Sequence, residues 1–149
     1  MNLLLDTNVV IDYLGRKDPF FELAQQVIAA GFFGDATLWM PAQSAADAFY
    51  VLNHYLDSAR VQSLLARLFE VVKPVALSAD ELFDATRLQW KDYEDCLVML
   101  TALKAGADYL ITRDKKDFKR SAVPALTPQE WLALQAKRGI SYTPAELSR

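Results

Sequence analysis

Residues 2–14 read NLLLDTNVVIDYL, and this stretch decides the fold. The run NLLL after Met1 is a short apolar segment that stops at Asp6, which is typical of a parallel strand buried on both faces. From Asn8 to Leu14 the apolar residues recur at helical spacing, and Gly15 ends the segment. A buried strand that leads directly into a helix predicts the first unit of an α/β fold.

The same alternation of strand and helix continues along the chain. Further strands are predicted at 37–40, 71–77, 109–112 and 124–126, and helices at 18–30, 42–55, 58–69, 78–90, 94–104 and from 127 onward. The helix at 18–30 is expected to open with Asp18 as N-cap and Pro19 in its first turn. This order predicts a single three-layer α/β domain with a mainly parallel central sheet flanked by helices.

Length and composition limit the class of protein. The 149 residues, 52% hydrophobic and 23% charged, suit one globular domain, which we expect over residues 1–138, with a loosely held polar tail at 139–149. No apolar run reaches the ~18 residues that span a bilayer, and MNLLLD does not resemble a signal peptide, so we expect no membrane association and a cytoplasmic location. The single cysteine, Cys96, excludes an internal disulfide and a cysteine-rich metal site.

Two acidic residues lie at or just after the ends of predicted strands. Asp6 follows the first strand, and Asp114 follows the strand at 109–112. The carboxyl ends of parallel strands lie at one edge of the sheet, where ligands bind in open α/β folds. Both residues are therefore candidates for a functional site, although each could instead cap the next helix.

Two more carboxylates lie on predicted helices. Asp47 belongs to a polar stripe on an otherwise apolar helix, and this stripe is either functional or simply solvated. Asp95 enters the most apolar helix of the chain, so its charge must be paired, hydrogen-bonded, metal-bound or placed at the helix N-terminus. With Asp92 and Glu94 it forms an acidic cluster larger than capping requires. We favour Asp95 as a metal ligand and keep Asp92 as a candidate extra ligand.

From Asn2 to about Leu132 the sequence resembles a known family, the PIN-domain nucleases. The resemblance is carried by LLLDTNVVIDYL near the start and by DYEDCLVMLTALKAGADYLITRDKKDF later. The sequence is similar to the toxins of VapBC-type toxin–antitoxin pairs and to their stand-alone relatives. Carried over by position, the acidic quartet of the family falls on Asp6, Asp47, Asp95 and Asp114. The family more often has glutamate at position 47, so the shorter Asp47 requires a metal nearer its helix or a bridging water.

The resemblance implies an endoribonuclease that uses Mg²⁺ or Mn²⁺ to hydrolyse RNA by attack of a metal-activated water. It also implies the toxin of a type II pair, a homodimer, and a small antitoxin protein as partner. The donor chemistry agrees, because these cations take oxygen ligands and clustered carboxylates repel one another without a cation. Thr7, Asn8 and Thr112 would orient the ligands, or form caps and turns instead.

Basic residues around the acidic positions are candidates for RNA binding. The net charge of −3 repels a polyanion, so a local positive surface or metal ions must supply the attraction. The candidate phosphate contacts are Arg16, Lys17, Arg113, Lys115 and Lys116, with Lys119 and Arg120 nearby. The alternative is an ordinary solvated face. His54 is the only histidine, which excludes a Ser-His triad and a histidine-rich metal site.

Two predicted helices, at 20–30 and 58–69, carry apolar residues suited to a twofold contact. These residues are Phe20, Phe21, Leu64, Leu65, Leu68 and Phe69. We expect them to be more exposed than a monomer of this size allows. Such a contact would place two acidic sites in one longer groove.

Two other functions are compatible with part of the pattern. An inert PIN-like module would bind RNA or a protein without cutting, but all four acidic positions are present. A doubly wound phosphotransferase would use Asp6 as its nucleophile. Such enzymes typically need a second aspartate two residues later, where this chain has Asn8.

Overall fold

A computed structural model describes residues 1–143, which contain a five-stranded sheet. The strands are β1 (Asn2–Leu5), β2 (Thr37–Pro41), β3 (Val72–Val75), β4 (Tyr109–Ile111) and β5 (Ala125–Leu126). Their order across the sheet is β3-β2-β1-β4-β5, and every neighbouring pair is parallel. The predicted α/β fold with a parallel sheet is confirmed, and the carboxyl ends of all five strands lie at one edge.

Helices cover the sheet between the strands. They are α1 (Thr7–Leu14), α2 (Phe21–Phe32), α3 (Gln43–Leu52), α4 (Ser58–Leu68), α5 (Ala79–Leu88), α6 (Tyr93–Lys104) and α7 (Pro128–Lys137), with a short 3₁₀ helix at Lys115–Phe118. No helix within residues 1–143 has the length and apolar character needed to cross a membrane.

The sheet separates two apolar cores, which explains the uninterrupted apolar run of β1. Leu3 and Leu5 belong to the larger core, which is formed with α1, α2, α3, α4 and α7. Leu4 belongs to the smaller core, together with Val98 and Ala102 of α6. All three leucines of β1 are fully buried. The central strand is therefore anchored on both faces, and its carboxyl end has little freedom to move.

Helix α2 begins later than the sequence predicts. It starts at Phe21, and its N-cap, Phe20, makes no side-chain capping bond. The backbone N–H groups of Phe20 and Phe21 instead donate to the carbonyl of Lys17 at 2.9 and 2.8 Å. The prediction that Asp18 and Pro19 open this helix is wrong, because a turn closed on Lys17 precedes it.

The packed domain extends beyond residue 138. Tyr142 is buried in the larger core, and its hydroxyl donates to Asp35 Oδ2 at 2.7 Å. The N–H of Ile140 donates to the carbonyl of Gln135. The first part of the expected tail is therefore packed rather than loosely held, and residues 144–149 lie outside the described residues.

The apolar helices also differ from expectation. Leu65 and Leu68 are buried in the core, whereas Phe20 and Phe69 are about 40% exposed. The face expected to be uncovered is thus smaller than the sequence suggests. An apolar groove of about 490 Å³ between α3 and α4, bordered by Phe49 and Phe69, remains open.

Candidate active site

Asp6 lies at the carboxyl end of the central strand and caps the helix that follows. Its N–H donates to the carbonyl of Ile111 at 2.9 Å, which continues the pairing of β1 with β4. Its carboxylate accepts from the N–H of Thr7 at 2.7 Å and is almost entirely buried. Sheet and helix together fix the position of this carboxylate.

Thr112 connects the two carboxylates that follow strands. Its hydroxyl donates to Asp6 Oδ2 at 2.8 Å and accepts from the N–H of Asp114 at 3.1 Å. Thr112 is fully buried directly after β4. One side chain therefore orients Asp6 and the backbone that carries Asp114.

Asn8 adds a second connection from the first turn of α1. Its Nδ2 lies 3.4 Å from Asp6 Oδ2 and 3.3 Å from Asp114 Oδ2, and its Oδ1 accepts from the N–H of Arg113 at 3.4 Å. These are long hydrogen bonds, near the outer limit of useful geometry. We call Asp6, Asn8, Thr112 and Asp114 the strand-end group.

Thr7 connects this region to the helix that carries Asp47. Its hydroxyl shares a 2.6 Å hydrogen bond with the hydroxyl of Ser44 in α3. Ser44 is fully buried, so the contact joins the starts of α1 and α3. Sequence reasoning did not identify Ser44, because nothing in its local pattern distinguishes it from an ordinary helical serine.

A partly buried ion pair lies beside the strand-end group. Asp12 of α1 is 1% exposed, and its carboxylate accepts from Arg113 Nε at 2.6 Å and Nη2 at 3.3 Å. The Arg113 guanidinium also lies 4.1 Å from the centre of the Phe20 ring. Burial raises the pKa of Asp12, while Arg113 and Lys17 oppose the rise. Arg113, a predicted phosphate contact, is thus already engaged with protein groups.

Asp12 is a residue that sequence reasoning missed. It lies in the apolar segment NVVIDYL, four residues after Asn8. The argument that singled out Asp95, a carboxylate among apolar helical residues, applies equally to Asp12.

The N-terminus of α6 supplies the other carboxylates. Asp92 is its N-cap and accepts from the N–H of Asp95 at 3.1 Å. Burial raises the pKa of Asp95 to about 7, with further contributions from Asp92, Asp6, Asp117 and Glu94. Burial and the neighbouring carboxylates therefore all act in the same direction on this half-buried carboxyl.

Asp47 and Glu94 extend this acidic region. Asp47 lies exposed on α3. Burial raises the pKa of Glu94, and Asp47 and Asp92 add to the rise. Burial also raises the pKa of Asp6, against hydrogen bonds from Thr112 and Thr7, with a smaller contribution from Asp114 and Glu94. We call Asp47, Glu94 and Asp95 the helix group.

Glu94 and Asp117 also belong to this acidic region, although the sequence analysis gave neither residue a role in the site. Glu94 was visible as part of the acidic segment, but the effect of Asp47 on its pKa depends on how two helices far apart in the sequence are placed. Asp117 lies in the 3₁₀ helix after Asp114, which the sequence analysis did not predict.

The donor set suits a hard divalent cation, but the ligand shell is not closed. All the side chains concerned offer carboxylate oxygens, and burial together with mutual repulsion raises the pKa of Asp6 and of Asp95, which a bound divalent cation would oppose. Within residues 1–143, however, no three His, Cys, Asp or Glu side chains are arranged to hold one metal ion together. The carboxylates of the two groups raise one another's pKa. To complete a metal site, the helix group would have to move closer to the strand-end group.

The predicted basic residues are distributed unevenly. Lys115 pairs with Glu130 at 2.8 Å. Arg16 lies over the Phe21 ring at 5.5 Å, beside a pocket between α1, α2 and α4. Lys17 lies near enough to Asp12 to lower its pKa, and Lys116 borders a pocket beside Asp95.

Several solved structures share this fold. VapBC-1 from nontypeable Haemophilus influenzae matches with a TM-score of 0.64 and 20% identity, covering 87% of this chain and 99% of that one. VapBC2 from Rickettsia felis, bound to a DNA fragment from its promoter, matches at 0.63 and 19%, covering 85% and 98%. VapC20 of Mycobacterium tuberculosis, described as a sarcin–ricin loop cleaving toxin, matches at 0.56 and 14%, covering 72% and 86%.

Sequence comparison gives the family directly. A search of curated proteins found no significant match. The family model of the PIN domain matches residues 2–116, about three-quarters of the chain, including Asp6, Asp47, Asp95 and Asp114. The chain therefore belongs to the PIN-domain family.

Proposed function

We propose that this protein is a metal-dependent endoribonuclease that hydrolyses RNA phosphodiester bonds and acts as the toxin of a type II toxin–antitoxin pair. The observation that carries the proposal is the hydrogen-bonded strand-end group, which lies at the carboxyl edge of a parallel sheet. Half-buried Asp95 adds a negative charge near Asp6. Structural carboxylates are normally paired with cations, whereas these accumulate like charge.

Asp6, Asp95, Asp114 and Asp47 would hold Mg²⁺ or Mn²⁺, with Asp92 as a candidate extra ligand. When bound, such a cation activates a water molecule and stabilises charge on the scissile phosphate. Thr112 and Asn8 hold Asp6 and Asp114 in place, so these ligands need little rearrangement. Thr7 steadies the start of α1 through Ser44.

RNA would be held by basic side chains around the acidic edge. Lys116 is the one of the five predicted contacts that borders the same pocket as Asp95. Lys115 and Lys17 remain candidates, although Lys115 must leave Glu130 to reach a phosphate. Arg113 is held by Asp12, and Arg16 lies beside a separate pocket, so their contribution would be smaller.

The partner proposal rests on the similar structures. Two of them are VapBC proteins, and another similar structure is FitAcB from Neisseria gonorrhoeae. By analogy, we propose a cognate antitoxin that blocks the acidic edge, a homodimer formed partly through the exposed apolar side chains, and a cytoplasmic location. Sedimentation at micromolar concentration tests the dimer: a monomer with full nuclease activity would refute it.

The decisive experiment compares two aspartate-to-asparagine variants. Asp6→Asn keeps the shape of the side chain and removes a charge, so cleavage of RNA in Mg²⁺ or Mn²⁺ should fall to background while the fold is retained. Asp108→Asn is the matched control, because Asp108 accepts from the N–H of Asn2 at the opposite edge of the sheet. This control should cleave like wild type. Wild-type turnover by Asp6→Asn would refute the assignment.

Expression in cells tests the toxin assignment separately. The intact chain should arrest growth when expressed alone, and co-expression of the neighbouring gene should relieve the arrest. Harmless expression of an active nuclease would instead favour a housekeeping role.

A further inference from the structure

A pocket of about 450 Å³ opens beside the acidic edge and shares Asp92 and Asp95 with the proposed metal site, but most of its lining belongs to other residues. Asp92, Asp95 and Asp117 form its acidic wall, and Trp90 with several basic side chains forms the rest. This volume lies within the roughly 300–1,000 Å³ of typical small-ligand pockets. A ligand bound here would lie next to any group held by Asp95.

One wall of the pocket is a fixed aromatic and cationic surface. The guanidinium of Arg120 lies 5.6 Å from the centre of the Trp90 ring. It also donates to the carbonyls of Leu88 and Gln89 at 2.8 and 3.0 Å, which holds it against the end of α5. Trp90 meets Phe118 edge-on at 6.3 Å and is only partly buried. Because both side chains are already held, a planar group can pack against them at little entropic cost.

The remaining cations in the pocket are free to bind an anion. Lys91, Lys116 and Lys119 are exposed, and in the part of the chain that the structure describes none of them forms an ion pair. The neighbouring Lys115, in contrast, is bound to Glu130 and does not line the pocket. Beside the three carboxylates of its acidic wall, the pocket therefore offers three unpaired ammonium groups and an aromatic ring, which are the contacts that a phosphate and a base require.

We propose that this pocket binds one nucleotide of the substrate strand next to the scissile phosphate. Its base stacks on the surface formed by Trp90 and Arg120, and its phosphate contacts Lys116 and Lys119. The inference rests on the proposed function, and it adds a base-recognition subsite to a protein whose net charge would otherwise repel RNA. Stacking on an aromatic or guanidinium plane is a common way to hold an unpaired RNA base.

The test measures binding separately from cleavage. The probes are a fluorescein-labelled 12-nucleotide oligoadenylate and the same oligomer made entirely of abasic ribose phosphate. Affinity is measured by fluorescence anisotropy with Ca²⁺ in place of Mg²⁺ or Mn²⁺. Wild type should bind the base-bearing oligomer about tenfold more tightly than the abasic one, which is the effect of one stacked base.

Substitutions at Trp90 assign this preference to the pocket. Trp90→Leu should reduce the tenfold preference to nearly one, whereas Trp90→Phe should keep most of it. An unchanged preference in Trp90→Leu, in a protein that still cleaves RNA, would overturn the subsite and leave the proposed function standing. A wild type that neither binds the oligomer nor cleaves RNA would overturn both.

Substitutions of lysine test the phosphate contact without disturbing the packing of Trp90. Lys119→Ala should weaken binding of both oligomers by a similar factor and lower the slope of log affinity against log salt by about 0.7. Lys137→Ala is the matched control, because it removes the same charge from the last turn of α7. Equal effects of the two lysine variants would mean that only net charge matters and would overturn the contact.

Discussion

The strand-end group and the helix group both offer carboxylate oxygens, but the two groups differ in hydrogen bonding and in electrostatic environment. Asp6 and Asp114 accept hydrogen bonds from Thr7, Thr112 and Asn8. In residues 1–143 the carboxylate of Asp95 accepts no hydrogen bond, and burial with neighbouring negative charge raises its pKa to about 7. Hydrogen bonds hold the carboxylates of the strand-end group in place. In the helix group, burial and neighbouring negative charges disfavour the ionised form of Asp95.

This difference follows from the elements that carry each group. A central strand paired on both sides fixes the residue that follows it, because the backbone hydrogen bonds continue to its last position. Helices α3 and α6 are held by side-chain packing, which permits small displacements. We infer that the strand-end group is the fixed part of the proposed metal site and the helix group is the adjustable part.

The largest expected effect comes from removing the organisation of the strand-end group. Thr112→Val keeps the volume of the side chain but removes the hydroxyl that links Asp6 to Asp114. Loss of a side chain that orients metal ligands typically lowers activity about 10- to 100-fold, and we expect this loss in RNA cleavage.

The matched control is Thr101→Val in α6. Thr101 is also fully buried, and its hydroxyl donates to the carbonyl of Leu97 at 2.8 Å, away from the strand-end group. Thermal unfolding of both variants separates stability from activity. If both variants lose activity in proportion to stability, Thr112 has no special role in the site.

The next largest effect concerns the ion pair between Asp12 and Arg113. Asp12→Asn leaves Arg113 without its anionic partner, and breaking a buried pair costs about 3–5 kcal/mol. The Arg113 side chain is 32% exposed, so we expect a smaller loss of about 2–3 kcal/mol in the free energy of unfolding. Denaturant titration measures it, and Asp84→Asn is the comparison.

Asp84 pairs with Arg87 on the surface of α5, where both side chains are mostly exposed. Loss of that pair should cost less than about 0.5 kcal/mol. Equal costs for the two aspartate variants would contradict a stabilising role for the Asp12–Arg113 pair.

The helix group predicts an unusual dependence of stability on pH. Because the pKa of Asp95 is raised from 3.8 to about 7, the folded protein binds this proton more tightly than the unfolded chain does. Between about pH 4 and 7 the contribution of Asp95 to the free energy of unfolding of the metal-free protein should therefore decrease as pH rises. Solvent screening limits the contribution of Asp95 to about 1–2 kcal/mol.

Asp95→Asn isolates this contribution from the other carboxyl groups. The variant should be the more stable protein at pH 8 without metal, and the difference should vanish near pH 4. Mg²⁺ or Mn²⁺ should raise the melting temperature of wild type more than that of the variant. A difference that does not depend on pH would show that Asp95 is not in a repulsive environment.

The strand-end residues could be predicted because their positions depend on local sequence. An apolar run that stops at Asp6, and another that stops before Thr112, place both residues at one edge once the strands are parallel. The order of strands and helices was predictable for the same reason, because the periodicity that identifies each element lies within a short stretch of sequence.

The remaining contacts depend on the meeting of distant segments, which one sequence does not show. Arg113 looked like a phosphate contact because its neighbours are basic, but it reaches Asp12, 101 residues away. The charge of Asp47 raises the pKa of Glu94 only because the fold brings these two side chains of α3 and α6 near one another. The sequence can identify a charged residue that needs a partner, but not which partner it finds.

The smallest expected effect decides whether Asp92 caps α6 or binds metal. As a cap it accepts from the N–H of Asp95, and asparagine serves that role almost equally well, whereas alanine costs about 1 kcal/mol. Asp92→Asn should therefore keep both stability and RNA cleavage, and it should slightly relieve the repulsion on Asp95. Asp92→Ala should lower the free energy of unfolding by about 1 kcal/mol. If Asp92→Asn instead loses cleavage as severely as Asp6→Asn, the charge itself is required, and Asp92 belongs with the metal ligands.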